Sequence, residues 1–237
     1  MSKTTIPAGG IADDAISEEH IDATVITGST ALAATPADTD EFLISDAGTI
    51  KRIDYSYIKG GAHILLSSGT FSSSSNLTFN NSLITSTYNK YVVEFIDCKM
   101  QNDTYLSLFS STDNGSNYHG SSGYQITGAI FESSQSNNAL FTRQNNGSSD
   151  MTLIGNAQTV DNAYVFGLTV ELFDPTSTNQ RKGVLFRGFY VDTDGDLCNV
   201  SGAGTFLGAT TTAVNNIKFE PSNGNIASGI YRLYGVA

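Results

Sequence analysis

The sequence predicts an all-β protein whose C-terminal domain is a jelly-roll-like β-sandwich. Only 15% of the 237 residues are charged, well below the usual quarter of a globular chain. Glycine, serine, threonine and asparagine fill the difference, so turn formers are abundant and good helix formers are scarce. The hydrophobic fraction of 39% is ample for a packed core. From residue 62 onward, short apolar runs alternate with polar turns, as expected for successive strands.

The first element, residues 1–30, is predicted to be an extended attachment or shaft segment. Isoleucine recurs there at every fifth position, at Ile6, Ile11, Ile16, Ile21 and Ile26. A five-residue step scatters side chains around a helix and alternates them between the two faces of a strand. An extended chain that turns in each repeat can present them to a common axis of three chains, or to the wall of a larger assembly. The alternative is a short helix over residues 12–23 and a coincidental repeat.

The second element, residues 31–60, is predicted to be a small β-hairpin connector. Strands are expected at 41–45 and 49–55, around the turn Asp46-Ala47-Gly48. Residues 1–60 carry ten acidic and four basic side chains, so their net charge of −6 is over half of the total of −11. With few aromatic residues, this part cannot build a core of its own. Gly60-Gly61 marks the predicted hinge to the larger domain.

The third element, residues 61–237, is predicted to be the β-sandwich tip domain, and no convincing helix interrupts it. Its expected strands are 62–67, 77–79, 90–98, 104–110, 124–131, 151–155, 163–173, 183–192, 204–211, 214–219 and 228–236. Cys98 and Cys198 fit no metal-binding spacing. We expect them to be free, mostly buried thiols, with a disulfide between them as the alternative.

Several function classes are disfavoured by the sequence. A net charge of −11 opposes binding to a phosphate backbone, so no nucleic-acid partner is expected. No signal peptide of the usual kind and no membrane-spanning run of eighteen apolar residues is present. Neither nucleotide-binding loops nor a G-x-S-x-G elbow occur, and of the three histidines only His119 lies in a predicted turn. We therefore expect no enzyme and no cofactor.

Two weak candidate sites remain. Asp192, Asp194 and Asp196 alternate as in a calcium loop, but Leu197 and Ala203 occupy the places of the required glycine and glutamate. An ordinary turn is the preferred interpretation, and no metal is expected. The second candidate is a surface-binding loop that combines amides, a carboxylate and aromatic rings, as sugar-binding loops do. Its residues are Asp113, Asn114, Asn117, Tyr118 and His119; the alternative is a polar hairpin with a tyrosine packed on its edge.

Five segments together resemble tail-fibre and virion-appendage proteins of marine tailed bacteriophages of the podovirus or myovirus kind. They are the isoleucine run 11–27, the connector 34–59, and YNKYVVEFIDC, SLFSSTDNGSNY and IASGIYRLYGVA in the β-domain. The resemblance implies a homotrimeric virion structural protein, assembled in the host cytoplasm. Residues 1–60 would contact other tail or capsid proteins, and the C-terminal domain would face outward. The chain is shorter than a full-length fibre, and the resemblance supplies no position-specific site residues.

Three hypotheses follow from these observations. The first is a short trimeric tail fibre or appendage whose tip contacts the host surface, where a glycan is the expected partner. The second is a capsid decoration protein, head fibre or tail-bridging protein that binds no receptor. The third is a free carbohydrate-binding module or small hydrolase.

Overall fold

In the described part of the N-terminal unit, a β-hairpin is followed by a short helix. The computed structural model describes residues 10, 27–58, 63–133, 140–155 and 159–236, and the chain divides into two units, Met1–Gly60 and Gly61–Ala237. In the first unit, β1 (Glu41–Asp46) pairs antiparallel with β2 (Thr49–Asp54), and α1 (Tyr55–Ile58) follows. Ala47 and Gly48 have φ angles of 49° and 84°. Two positive φ angles define the type I′ turn that matches the twist of a two-residue hairpin.

The second unit is built from strands. They are β3 (His63–Ser74), β4 (Leu77–Phe79), β5 (Lys90–Met100), β6 (Leu106–Ser111), β7 (Tyr124–Glu132), β8 (Leu140–Ser148), β9 (Met151–Ile154), β10 (Val165–Phe173), β11 (Gly183–Val191), β12 (Leu197–Phe206), β13 (Asn216–Pro221) and β14 (Ile226–Val236). They form an eight-stranded sheet in the order β3-β14-β5-β10-β11-β12-β7-β8 and a four-stranded sheet in the order β4-β13-β6-β9. Every pairing is antiparallel.

The strand pairing is that of a jelly roll. Four nested ladders join β3 to β14, β4 to β13, β5 to β10, and β6 to β9, as in one long hairpin. That hairpin is rolled up, because β14 also pairs with β5 and β13 also pairs with β6. The predicted all-β sandwich is therefore confirmed, and its strand order is the one that two Greek keys produce. Two inserted hairpins, β7–β8 and β11–β12, extend the larger sheet beyond β10.

Three strand predictions are wrong in detail. β8 was not predicted, because Gln144 to Ser148 are polar and give no apolar alternation. The expected strand at 204–211 is instead β12, which begins at Leu197 and ends at Phe206, since small residues in its middle hide the alternation. β3 continues to Ser74 instead of ending at residue 67.

The core lies between the two sheets and is rich in aromatic rings. Phe95 of the larger sheet meets Phe219 of the smaller one with 5.1 Å between ring centroids, and Phe71 stacks on Phe95 at 5.9 Å. Such offset and edge-to-face pairs each add about 0.5–1.5 kcal/mol beyond the burial of their area. All residues of this buried cluster belong to the second unit, from Phe71 to Leu233.

Both cysteines are free and fully buried, as expected. Cys98 is on β5 and Cys198 on β12, and two strands lie between them in the larger sheet. Three inter-strand spacings amount to about 14 Å. A disulfide needs Cα atoms within about 7 Å, so the alternative of a disulfide is wrong.

No helix in the described ranges is long and apolar enough to cross a lipid bilayer.

Candidate functional site

The five isoleucines proposed to line an oligomer axis, Ile6, Ile11, Ile16, Ile21 and Ile26, lie outside the described residues. The proposed axis therefore stays a prediction.

The loop between β6 and β7 is held together by the carboxylate of Asp113. This carboxylate accepts hydrogen bonds from the Asn117 side-chain amide at 2.7 Å, from the Asn117 backbone amide at 2.8 Å and from the Ser111 hydroxyl at 2.7 Å. These donors, above all Asn117, stabilise the ionised form and lower the pKa of Asp113 to about 2. Two of the predicted binding residues, Asp113 and Asn117, thus bond to each other and set the shape of the loop.

The other predicted loop residues also make internal contacts. Asn114 has a positive φ of 59°, and its backbone amide donates to Asn215 Oδ1 at 2.9 Å. His119 Nδ1 lies 2.9 Å from the carbonyl oxygen of Ser110 and 3.1 Å from its hydroxyl. Ser110 has no exposed surface. In this conformation its hydroxyl cannot reach a substrate, although a histidine lies beside it.

Tyr118 connects the loop to the outer face of the four-stranded sheet. Its hydroxyl donates to Asn216 Oδ1 at 3.0 Å, and its ring centroid lies 4.5 Å from the Lys218 ammonium. The same ammonium lies 4.9 Å from the centroid of the Phe109 ring and 2.7 Å from Glu220 Oε2. The lysine is thus held by two ring faces and one carboxylate.

Strand register explains why these side chains meet. Lys218 lies opposite Phe109, and Glu220 opposite Ser107, in the β13–β6 ladder. Because side chains alternate between the faces of a strand, Ile217 and Phe219 point into the core while Lys218 and Glu220 lie on the outer face.

Beside the lysine, a groove of about 500 Å³ runs over the outer face of this sheet. We call it the small-sheet groove. Its lining residues are Tyr105, Ser107, Phe109, Ser149, Asp150, Glu220, Pro221 and Ser222. The volume lies within the range of about 300–1,000 Å³ that is typical of small-ligand sites.

The carboxylate of Asp150 is fixed at one side of this groove. Asp150 Oδ2 accepts hydrogen bonds from the hydroxyls of Ser107 and Thr152, the latter at 2.9 Å. Ser107 and Thr152 are nearly fully buried, so their hydroxyls sit in the sheet surface beneath the carboxylate. Both carboxylates of the groove, Asp150 and Glu220, are therefore held in place before any ligand arrives.

Sequence reasoning missed this groove. Its residues come from three separate segments, 105–109, 149–150 and 220–222, and only the long-range ladders bring them together. The sequence contains one relevant signal, the alternation of Tyr105, Ser107 and Phe109 along the predicted strand 104–110. It predicts that the three side chains share a face, but not which residues of other strands lie beside them.

A second groove, of about 510 Å³, lies on the outer face of the larger sheet. The side chains of Gln125 and Asn146, on paired strands, bond to each other at 2.6 Å across it. Its described lining residues include no aromatic side chain. Arg181 also donates a hydrogen bond to Gln125 Oε1 at 3.3 Å, so the Gln125 and Asn146 amides are both engaged with neighbouring side chains.

The three predicted metal-loop aspartates form the turn between β11 and β12. Asp192 is fully buried, and its Oδ1 accepts hydrogen bonds from the backbone amides of Asp194 and Asp196, both at 3.0 Å. The carboxylate of Asp192 is thus used to close the turn. Within the described ranges, no set of three or more histidine, cysteine or acidic side chains has an arrangement that could hold a metal ion.

Glu132, at the end of β7, lies near this acidic turn. Its Oε2 is buried and lacks a hydrogen-bond partner in the part of the chain that the structure describes. Removal from water raises the pKa of Glu132, and the charges of Asp192, Asp196 and Asp194 raise it further. The turn is therefore a place where negative charges repel each other.

Comparison with known proteins adds no functional assignment. No protein-family model matches the chain, and no curated protein matches it. Among solved structures, the CspB protease of Clostridium perfringens aligns with a TM-score of 0.23 and 10% sequence identity. The alignment covers 73% of this chain but only 25% of the protease chain. A TM-score this low carries no argument about fold or activity.

Proposed function

We propose that this chain is a virion structural protein that forms a short trimeric fibre or appendage. Residues 1–60 assemble on the particle, and the jelly-roll domain faces outward for contact with the host surface. The resemblance to phage tail-fibre and appendage proteins suggests the particle. The observation that carries the proposal is the exposed apolar surface of the hairpin in the first unit.

That hairpin has apolar side chains on both faces. On one face, Leu43 is 80% exposed and Ile50 is 75% exposed. On the other face, Phe42 and Ile44 are also exposed, and the Phe42 ring lies 6.1 Å from the ring of Tyr55. A two-stranded hairpin is marginally stable in water. Burying these side chains against another chain would stabilise the assembly by about 1.5–3 kcal/mol for each side chain that becomes fully buried.

The hairpin with its exposed apolar side chains and the sandwich with its buried core suggest different roles for the two units. The first unit gains stability by packing on other chains, whether copies of itself or other virion proteins. The second unit has a large buried core of its own, and we assign it the contact with the host surface. The whole chain carries a net charge of −11, which agrees with a protein and glycan environment more than with a nucleic-acid one.

Oligomer mass tests the assembly role. We expect the full chain to run with the mass of three chains in size-exclusion chromatography with light scattering. The double variant Leu43→Ser, Ile50→Ser should shift the mass toward that of a single chain. It removes two apolar side chains that the proposed contacts between chains would bury. Leu197→Ser is the matched control, since Leu197 is an exposed leucine of the sandwich. A monomeric wild-type chain, or equal masses in all three proteins, would contradict the proposed trimer.

Position on a particle tests the outward-facing role. An antibody against residues 61–237 should label the tip of an appendage in electron micrographs of intact virions. Labelling restricted to the capsid lattice would instead identify a capsid decoration protein. Absence from purified particles would overturn the virion proposal.

A further inference from the structure

We propose that the small-sheet groove binds a pyranose unit of an uncharged glycan. This inference deepens the proposed function, on which it rests for the origin of the glycan on a host surface. Binding itself follows from the chemistry of the groove and can be tested on the purified chain.

Two aromatic side chains contribute to the lining of the groove. Tyr105 is 37% exposed and Phe109 is half-buried, and both contribute to the lining. The face of an aromatic ring carries partial negative charge and attracts polarised C–H groups. A pyranose presents such C–H groups on the flat side of its ring, so it can stack on an exposed tyrosine without losing its hydroxyl contacts.

Two carboxylates with fixed positions also contribute to the lining. Ionised carboxylates only accept hydrogen bonds, and sugar hydroxyls supply donors. The carboxylate of Asp150 is oriented by the hydroxyls of Ser107 and Thr152, and that of Glu220 by Lys218. Since these partners already order the two carboxylates, a ligand loses less affinity to the ordering of side chains.

The charge of the groove selects the class of glycan. Two carboxylates contribute to its lining, and the neighbouring Lys218 is engaged by Glu220, Phe109 and Tyr118. The whole chain is acidic as well. An anionic sugar such as a uronic acid would meet the like charge of Asp150, which is held by the neutral hydroxyls of Ser107 and Thr152, so it should be rejected. Neutral hexoses and N-acetylhexosamines carry the donors without that repulsion.

Matched ligands provide the first test. We would titrate the full chain with the methyl glycosides of glucose, galactose, mannose and N-acetylglucosamine, observed by saturation-transfer NMR and calorimetry. Methyl glucuronide serves as the charged counterpart of methyl glucoside. We expect binding of at least one neutral glycoside and at least tenfold weaker binding of the glucuronide. Binding of none, or preference for the glucuronide, would overturn the proposal.

Matched variants place the binding in the groove. Tyr105→Ala should weaken it about tenfold, whereas Tyr164→Ala, which removes an exposed tyrosine elsewhere, should leave it unchanged. Glu220→Gln should weaken binding of the neutral glycoside and reduce the rejection of the glucuronide. Glu171→Gln is its control, because Glu171 pairs with Lys90 on the larger sheet at 2.6 Å. Unchanged binding in both groove variants would assign the sugar to another site.

The two proposals fail in different ways. If the protein labels a virion appendage but binds none of these glycosides, the groove inference fails and the proposed function stands. If the groove binds a neutral glycoside but the protein is absent from purified particles, the virion function fails and the glycan site stands.

Discussion

The hydroxyl of Tyr124 accepts a hydrogen bond from the backbone amide of Ser110 at 2.9 Å and donates one to the carbonyl of His119 at 3.1 Å. Tyr124 begins β7, has no exposed surface, and is shielded from water enough to raise its pKa. A single buried hydroxyl thus ties the start of β7 to Ser110 in β6 and to His119, which follows Tyr118 in the loop between the two strands. Through Tyr118, that loop supports Lys218 beside the small-sheet groove.

Replacing this tyrosine should destabilise the sandwich. Tyr124→Phe leaves the Ser110 amide without its acceptor in a buried place, which costs about 1–3 kcal/mol. Chemical denaturation followed by tyrosine fluorescence would measure the loss. Tyr164→Phe, at a tyrosine that is 49% exposed, should lie within experimental error of the wild type. Equal stability of the two variants would mean that the hydrogen bonds of Tyr124 contribute nothing measurable.

A methyl group at Gly202 should also be destabilising. Gly202 lies opposite Phe186 in the β12–β11 ladder, and an added Cβ would overlap with the Phe186 ring. Overpacking of this kind typically costs about 1–3 kcal/mol. Gly120→Ala is the control, because nothing lies within 4 Å of an added Cβ there. Thermal unfolding should therefore show a lower Tm for Gly202→Ala alone.

Both thiols should be unreactive in the folded protein. Burial raises the pKa of Cys98 to about 12 and that of Cys198 to about 12. At pH 8 both are therefore protonated, and the thiolate is the reactive form. A thiol-reactive dye should label neither cysteine until guanidinium chloride unfolds the chain, and then both. Rapid labelling under native conditions would show that the sandwich opens locally around the labelled strand.

The acidic turn should make stability depend on pH. A carboxyl whose pKa is raised by folding destabilises the protein wherever it is ionised, so this penalty is present above the raised pKa of Glu132 and disappears below its ordinary value of 4.5. Glu132→Gln should raise Tm at pH 7, and the difference from the wild type should shrink as the pH falls. Glu171→Gln, which removes the partner of Lys90, should give no increase at pH 7. A lower Tm for Glu132→Gln at pH 7 would contradict the proposed repulsion.

The sequence predicted the parts of the fold that depend on local patterns. The hairpin follows from Ala47-Gly48 between two β-rich runs, and most sandwich strands follow from apolar alternation. β12 was misplaced because Gly202 and Gly204 occupy inner positions where a hydrophobic residue would normally signal a strand. They are small because Phe186 and Met151 fill the space above them. These two glycines are therefore required by contacts with residues that are distant in sequence. No local sequence pattern shows that requirement.

The groove could not be predicted for a related reason. Tyr105 and Glu220 are distant in sequence, and they share one surface only because β6 and β13 pair in a particular register. A slip of one residue in that ladder would move Lys218 and Glu220 to the core face. The predicted loop, in contrast, has a composition typical of binding loops, but Asp113 and Asn117 mainly stabilise its own conformation.

The pairing of His63 with Val236 joins the two ends of the sandwich at one corner, and this has a mechanical consequence. Tension between these two ends would open the β3–β14 ladder like a zipper, one hydrogen bond at a time. Tension between residue 63 and a ligand held in the small-sheet groove would instead run along β3, so that many of its hydrogen bonds share the load as shear. We therefore expect the sandwich to unfold at a lower force when it is pulled at residues 63 and 236 than when it is pulled at residue 63 and a ligand bound in the small-sheet groove.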